Sequence, residues 1–155
     1  MPKEGDIAPE VTLPDQGGTV HTLSQYRGKW GLLYFYPKDD TPGCTKEACA
    51  IRDNLPQISA VNLVVLGVSV DSVASHKKFA EKYSLPFTLL ADERKEVVRL
   101  YGVWGEKKFM GKSYEGTRRT SFLIRPDGHV AHVYENVKPE IHAQEVLRDL
   151  TEFTR

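Results

Sequence analysis

Two near-continuous apolar runs constrain the fold of this chain more than any other feature. The first, Leu32 to Tyr36, is bounded by Gly31 and Pro37, and the second extends from Asn62 to Val70. Strands that are apolar on both faces are typical of a parallel sheet covered by helices on both sides. The segment between the two runs, Thr45 to Ile58, has helical composition. This order of strand, helix and strand predicts an α/β fold.

The remaining segments also carry signals of strands, helices and turns. In chain order, we predict a hairpin of Asp6 to Leu13 with Thr19 to Leu23, a helical turn from Ser24 to Gly28, a helix from Val73 to Tyr83 capped by Asp71 or Ser72, a strand from Phe87 to Leu90, a helix from Asp92 to Tyr101, a long surface loop from Gly102 to Gly116, a hairpin of Thr120 to Ile124 with His129 to Tyr134, and a final helix opening at Lys138 and Pro139.

This order of elements narrows the fold class. A parallel βαβαβ half, followed by a hairpin and a closing helix, is the thioredoxin-like arrangement. We therefore expect a central mixed β-sheet flanked by helices, with an amino-terminal β-hairpin extension. The chain has no internal repeat and no Pro/Ser-rich linker, so residues 1–155 are expected to form a single domain.

Charge and hydropathy exclude several classes of partner. Lysine plus arginine and aspartate plus glutamate each number 21, so no sequence-wide basic footprint for nucleic acid or an anionic membrane is present. No apolar run approaches the length of a membrane span, and the amino terminus lacks the apolar core of a signal peptide. We therefore expect a cytoplasmic protein. Two neighbouring cysteines in that compartment favour redox chemistry or metal binding over a structural disulfide.

Both cysteines lie where the first apolar run gives way to a helical pattern. Cys44 follows a loop that contains Pro37, Thr41 and Pro42, and it is expected in the first turn of the helix. Unpaired backbone N–H groups and the positive end of the helix dipole favour the thiolate there. The Thr41 hydroxyl, three residues earlier, could hydrogen-bond the sulfur or an incoming oxygen.

The spacing of Cys44 and Cys49 limits how they can bond. On an intact α-helix, residues five apart have Cα atoms roughly 8.6 Å from each other. A disulfide generally needs no more than about 6.8 Å. The two cysteines can therefore join only if the first helical turns unwind, which favours a dithiol that changes shape on oxidation.

Metal binding and disulfide exchange are the competing uses of two cysteines. A copper or zinc chaperone would take ligands from Cys44, Cys49 and one histidine. However, the two cysteines lie on opposite sides of a helix, and His129 and His132 are predicted on opposite faces of a strand. Asp39 and Asp40 are more typical of a solvated loop than of a metal site. A disulfide reductase is disfavoured because such enzymes typically use CxxC at the helix start.

The residues around Cys44 resemble a known family. Pro37, Thr41 and Cys44 have the PxxxTxxC spacing of the peroxiredoxin active site, and the string from Thr41 to Cys49 resembles the peroxiredoxin Q, or bacterioferritin comigratory protein, branch. The resemblance extends over nearly the whole chain. Its further matches are Arg52 with Asp53, Gly67 to Asp71, Leu85 to Phe87, and Arg119 to Ile124.

The resemblance implies a thiol peroxidase that reduces hydrogen peroxide and organic hydroperoxides. Cys44 corresponds to the peroxidatic cysteine, which becomes a sulfenic acid, and Cys49 to the resolving cysteine, which forms an intramolecular disulfide with it. Thioredoxin or a similar dithiol protein would reduce that disulfide.

The resemblance also implies roles for three further residues. Thr41 would bind the peroxide oxygens, Pro37 would shield the site from water, and Arg119 would stabilise the thiolate and the cleaving O–O bond. Arg118 should point the other way. Glu47 could orient Arg119, assist proton movement or be a plain surface carboxylate. The chemistry needs no metal, haem, flavin or nucleotide, and a monomer is expected.

Overall fold

The computed structural model describes all 155 residues and contains nine strands and five α-helices. In chain order the elements are β1 (Thr12–Pro14), β2 (Val20–Thr22), a 3-10 helix (Leu23–Tyr26), β3 (Trp30–Phe35), α1 (Pro42–Asp53), α2 (Leu55–Ala60), β4 (Leu63–Ser69), α3 (Val73–Tyr83), β5 (Thr88–Ala91), α4 (Glu96–Leu100), β6 (Trp104–Phe109), β7 (Lys112–Thr117), β8 (Thr120–Ile124), β9 (Val130–Tyr134) and α5 (His142–Phe153).

A central five-stranded sheet organises the molecule, with strand order β5-β4-β3-β8-β9. β3 is parallel to β4, and β4 is parallel to β5. β8 runs antiparallel to β3, and β9 antiparallel to β8. The predicted mixed sheet is therefore confirmed, as is the amino-terminal hairpin, which β1 and β2 form with shorter strands than expected.

The core lies in two layers, one on each face of the sheet. Alternate residues of β3 point into different layers, as the two-residue period of a strand requires. Leu32 and Tyr34 join a cluster formed with α1, α2, α3 and α5. Leu33 and Phe35 join a second cluster covered by α4 and the amino-terminal hairpin. Burial on both faces explains why this strand is apolar without alternation.

Three helices begin at different residues from those predicted. The segment predicted as one helix from Thr45 to Ile58 is two helices, α1 and α2, separated at Asn54. α1 begins at Pro42, because proline is well suited to the first position of a helix, where its missing N–H is not needed. Asp92 precedes α4 by four residues and accepts a hydrogen bond from the backbone N–H of Val98. α5 begins at His142, after a turn that contains Lys138 and Pro139.

The expectation of a loop from Gly102 to Gly116 is wrong. β6 and β7 pair antiparallel there and form a two-stranded sheet of their own. Met110 and Gly111 form its tip, with φ angles of 52° and 78°. A hairpin turn of this kind usually carries Asn-Gly, so Met-Gly gave no recognisable turn signal. The exposed lysines along both strands also obscured the alternation typical of a strand.

No helix of the structure is both long enough and apolar enough to cross a membrane.

Candidate active site

Cys44 lies in the first turn of α1, at the edge of the sheet where β3 ends. Thr41 has extended backbone angles at the helix cap, and its carbonyl accepts a hydrogen bond from the N–H of Thr45 at 2.8 Å. Pro42 then starts the helix. This arrangement places Cys44 among the free N–H groups of the helix amino terminus, where a thiolate is favoured. The residue is only 2% exposed, so a reactant must enter a site that is largely shielded from water.

Arg119 reaches Cys44 from the neighbouring strand. β8 pairs antiparallel with β3 in the register Phe35 to Thr120, so the residue before β8 lies at the edge of the sheet where β3 ends. The Nη2 atom of Arg119 lies 3.4 Å from Sγ of Cys44. Burial opposes the charge of Arg119, but the nearby Cys44 and Glu47 raise its pKa above the ordinary value. The structure thus brings a fixed cation to the sulfur.

Glu47 holds the other side of this guanidinium. Its Oε1 atom accepts a hydrogen bond from Nη1 of Arg119 at 3.0 Å. The side chain is fully buried, and its Oε2 atom has no hydrogen-bond partner. Burial raises the pKa of Glu47 to about 7, although Arg119 acts in the opposite direction. Of the alternatives for Glu47, the plain surface carboxylate is therefore wrong, and contact with the arginine is confirmed.

The Thr41 hydroxyl does not bond the sulfur. It donates to the carbonyl oxygen of Lys38 at 2.8 Å, within the loop that joins β3 to α1. Because the hydroxyl hydrogen is used in this bond, the lone pairs of the oxygen are left free to accept a hydrogen bond. Pro37 opens the same loop and is half-buried.

Arg118 is directed away from Cys44, as expected. Its guanidinium lies against Gly105 of β6, where a Cβ atom on the glycine would come within 2.7 Å of Nη2. The two consecutive arginines therefore serve different parts of the molecule, and only Arg119 contacts the sulfur.

Cys49 lies five residues along the same helix and is partly exposed. Both cysteines are free thiols. Because α1 is wound from Pro42 to Asp53, the expected Cα separation of roughly 8.6 Å applies, which is too long for a disulfide.

Lys107 of β6 was missed by sequence reasoning and belongs to the electrostatic surroundings of the site. Burial lowers the pKa of Lys107, and the charge of Arg119 lowers it further, whereas Cys44 acts in the opposite direction. Its Nζ atom donates to the carbonyl oxygen of Thr117 at 3.1 Å. The segment from Gly102 to Gly116 contains three lysines, but only the hairpin register identifies the one that approaches the site.

The one candidate group of metal ligands in the structure does not include the cysteines, so it does not support the metal-binding alternative. One group of three side chains could offer donors to an ion, and it consists of Asp39, Asp71 and His76, without either cysteine. His132 instead pairs with Glu4 at 2.7 Å, and His129 lies 3.1 Å from Asp127.

Comparisons with known proteins agree with this geometry. The profile of the AhpC/TSA family matches residues 5–133. Peroxiredoxin Bcp of Escherichia coli K12 is 49% identical over 150 residues, which cover 97% of this chain and 96% of that protein. Peroxiredoxin Bcp of Bacillus subtilis is 42% identical over the same shares of the two chains.

Solved structures show the same likeness. The crystal structure of a peroxiredoxin Q variant from Xylella fastidiosa superposes with a TM-score of 0.94 at 36% identity, covering 100% of this chain and 99% of that one. The bacterioferritin comigratory protein of Xanthomonas campestris, described for alkyl peroxide reduction, gives a TM-score of 0.88 at 38% identity, covering 94% and 92% of the two chains.

A buried cysteine that opens a helix on a thioredoxin-like sheet, with an arginine at its sulfur, defines a thiol-dependent oxidoreductase. Its activity is that of a thiol peroxidase. The chain belongs to the AhpC/TSA family, within the peroxiredoxin Q or Bcp branch.

Proposed function

We propose that this protein reduces hydrogen peroxide and organic hydroperoxides with Cys44 as the peroxidatic residue. The contact between Arg119 and the sulfur, at the amino terminus of α1, is the observation that carries the proposal. The thiolate attacks one oxygen of the hydroperoxide, the O–O bond breaks, and Cys44 becomes a sulfenic acid. The departing oxygen takes up a proton and leaves as water or an alcohol.

Several groups around Cys44 lower the barrier to this step. Arg119 stabilises negative charge on the sulfur and on the departing oxygen, and the free N–H groups of α1 add to that field. Thr41 accepts a hydrogen bond from the hydroperoxide and aligns its O–O bond with the sulfur. Pro37 covers the site from bulk water. Glu47 orients the guanidinium through the bond at 3.0 Å.

Cys49 is the resolving residue in this proposal. Its sulfur attacks the sulfenic sulfur of Cys44, an S–S bond forms, the S–O bond breaks, and water leaves with the Cys49 proton. Because both cysteines lie on one wound helix, the beginning of α1 must unwind before they meet. A dithiol protein such as thioredoxin then returns both cysteines to thiols and is itself oxidised to a disulfide.

We further infer that one chain of 155 residues acts alone, as a single domain and a monomer, in the cytoplasm. Both cysteines lie on α1, so the disulfide needs no second subunit. A reducing compartment keeps the two thiols ready for reaction. Sedimentation analysis of the reduced and oxidised protein would test the monomer.

Mass spectrometry after treatment with one equivalent of hydrogen peroxide tests the chemistry. We expect the native protein to lose two hydrogens and to yield a peptide pair linked through Cys44 and Cys49. Cys49→Ser should instead gain one oxygen at Cys44, which dimedone traps. Cys44→Ser should show neither change and should not consume peroxide.

The two serine variants are matched controls for each other, because each retains one cysteine of the same helix. Peroxide consumption by Cys44→Ser at the native rate would refute the assignment of Cys44. A disulfide between two chains in the oxidised native protein would refute both the intramolecular resolution and the independence of the monomer. Oxidised protein that thioredoxin cannot reduce in a coupled assay would refute the proposed reductant.

A further inference from the structure

Asp39 places a buried carboxylate in the loop between β3 and α1, and the proposed chemistry does not use it. The residue is 7% exposed. Its Oδ1 atom accepts a hydrogen bond from the Tyr36 hydroxyl at 2.6 Å. Its Oδ2 atom accepts one from the Ser75 hydroxyl at 2.8 Å and lies 2.6 Å from Nδ1 of His76. Three side chains therefore converge on this one carboxyl group.

His76 is fully buried, and its surroundings determine where its protons are. Nε2 lies 2.8 Å from the carbonyl oxygen of Leu90, which can only accept, so Nε2 carries a hydrogen. Nδ1 lies 2.6 Å from Oδ2 of Asp39 in a buried salt bridge and donates to it. Both ring nitrogens are therefore donors, and the ring is a cation. Burial alone would lower the pKa of His76, but the hydrogen bond and charge of Asp39 raise it above the ordinary value.

Asp71 is the other charged group at this site, and it holds the loop backbone. Its Oδ2 atom accepts hydrogen bonds from the N–H of Asp39 at 2.8 Å and from the Ser69 hydroxyl at 2.6 Å. One carboxylate oxygen each of Asp39 and Asp71 and one ring nitrogen of His76 lie within 4.8 Å of one another. Each of these atoms is already engaged in a hydrogen bond, so the cluster is a closed network that fastens the loop to the sheet and to α3.

The position of this network along the chain connects it to the active site. Asp39 comes two residues after Pro37 and two residues before Thr41. Ser75 and His76 belong to the first turn of α3, so the network ties the middle of the loop to a helix that does not contain either cysteine. Thr41 caps α1, and its carbonyl oxygen accepts a hydrogen bond from the N–H of Thr45. A shift of Asp39 would therefore move the Thr41 hydroxyl relative to Cys44.

We propose that the buried Asp39–His76 ion pair positions Thr41 for hydroperoxide binding. The pair is a positioning device and touches neither sulfur. The inference rests on the proposed function, in which Cys44 attacks a hydroperoxide held by Thr41. Its specific consequence is that loss of the pair slows the reaction with peroxide more than it changes the general reactivity of the thiol, because the helix amino terminus and Arg119 remain in place.

The test uses Asp39→Asn in the Cys49→Ser background, where oxidation stops at the sulfenic acid. An amide oxygen cannot accept all three hydrogen bonds, and the amide removes the negative partner of His76. We expect the rate constant for sulfenic acid formation with hydrogen peroxide to fall about tenfold, by rapid quenching and mass spectrometry. That change corresponds to about 1.4 kcal/mol in the barrier.

Asp40→Asn is the matched control, because Asp40 is the next residue of the loop and also bonds to α3. Its carboxylate is exposed and accepts hydrogen bonds from Lys82 at 2.8 Å and Tyr83 at 2.7 Å. Exposed pairs of this kind contribute little. We expect the rate constant of this variant to stay within about twofold of the parent. Equal losses in the two variants would contradict the proposal.

Alkylation of Cys44 by iodoacetamide separates positioning from a general structural effect. We expect Asp39→Asn to alkylate within about threefold of the parent, since that reaction does not use Thr41. A parallel tenfold fall in alkylation and oxidation would overturn the proposal. If Asp39→Asn does not fold, Tyr36→Phe removes the hydroxyl that donates to Asp39 at 2.6 Å and lies 3.5 Å from Nδ1 of His76, but leaves the Asp39–His76 pair. This variant should give a smaller loss specific to peroxide, and an unchanged rate would overturn the proposal.

The behaviour of the parent variant, Cys49→Ser, separates failure of the proposed peroxidase function from failure of the positioning role of Asp39. Failure of Cys49→Ser to form a sulfenic acid at all would refute the proposed function. Normal oxidation in the parent, together with an unchanged rate in Asp39→Asn, would refute only the positioning role. Nitrogen NMR of the His76 ring at neutral pH should show both nitrogens protonated, and a neutral ring would contradict the ion pair.

Discussion

Gly43 controls how closely Arg119 approaches α1. A Cβ atom on this glycine would lie 2.9 Å from Nη2 of Arg119, the same atom that contacts Cys44. The guanidinium is held by Glu47 on its other side, so it cannot move freely to make room. At the residue scale, the absence of one side chain thus permits the contact between the cation and the thiolate.

Gly43→Ala should therefore separate activity from stability. Alanine is a better helix former than glycine by up to about 1 kcal/mol, so we expect an unchanged or higher midpoint of thermal unfolding. Loss of a single electrostatic contact to a developing charge slows a reaction about 100-fold or more. Because Arg119 would be displaced and not removed, we expect the rate of Cys44 oxidation to fall by only about tenfold. Stopped-flow measurement of Cys44 oxidation checks the rate.

Gly31→Ala is the control for this substitution. Gly31 lies in β3, and no atom outside its immediate neighbours comes within 4 Å of a Cβ placed there. We expect its oxidation rate to match the native protein. A native rate in Gly43→Ala would show that the position of the guanidinium does not limit the reaction.

At the scale of the element, the proposed mechanism requires α1 to adopt two different conformations. Its wound form presents Cys44 at a helix amino terminus beside Arg119, and it also keeps Cys49 too far away to bond. The helix is anchored beyond the cysteines, where Arg52 donates to the carbonyl oxygen of Tyr83 at 2.6 Å. Unwinding can therefore be confined to the turns that precede this anchor.

Oxidation should consequently remove helix. We expect far-ultraviolet circular dichroism of the native protein to lose the signal of about two turns, the part of α1 that spans both cysteines, on disulfide formation. Reduction should restore the signal. Cys49→Ser oxidised to the sulfenic acid should retain the full signal, because no bond forces the helix apart. A confirmed disulfide without any loss of helix would contradict the unwinding.

At the scale of the whole molecule, the buried carboxyl of Glu47 makes folding depend on pH. Its pKa is about 7 in the folded protein, against 4.5 for the ordinary value expected in the unfolded chain. Between these values the folded state binds a proton that the unfolded state does not, so stability falls as pH rises. The stability that protonation of Glu47 contributes is fully present below pH 4.5 and is lost as the pH rises through about 7.

Glu47→Gln should remove this dependence. We expect the free energy of unfolding of the native protein to fall, relative to that of Glu47→Gln, by about 2–3 kcal/mol as the pH rises through this range. Urea unfolding of both reduced proteins at a series of pH values measures the difference. Comparing the two proteins cancels the titration of other groups. Parallel curves would show that Glu47 titrates near its ordinary value.

The amino-acid sequence by itself determined the parts of this protein that depend on local pattern. The apolar runs at Leu32 to Tyr36 and Asn62 to Val70 predicted the buried parallel strands, because only strands covered on both faces lack alternation. The proline-rich loop between the first apolar run and a helical pattern placed Cys44 at the start of a helix. The spacing of Cys44 and Cys49 excluded a disulfide on an intact helix, which follows from helix geometry alone.

Only the tertiary structure decided what depends on contacts between distant segments. Arg119 meets Cys44 because β8 pairs with β3 in one particular register, and no local signal encodes that register. The depth at which Glu47 is buried determines its raised pKa, and helical periodicity alone left it equally suited to the surface. The β6–β7 hairpin and the Asp39–His76 pair likewise arise from partners in other parts of the chain, since a side chain's environment in a folded protein is set by what packs against it.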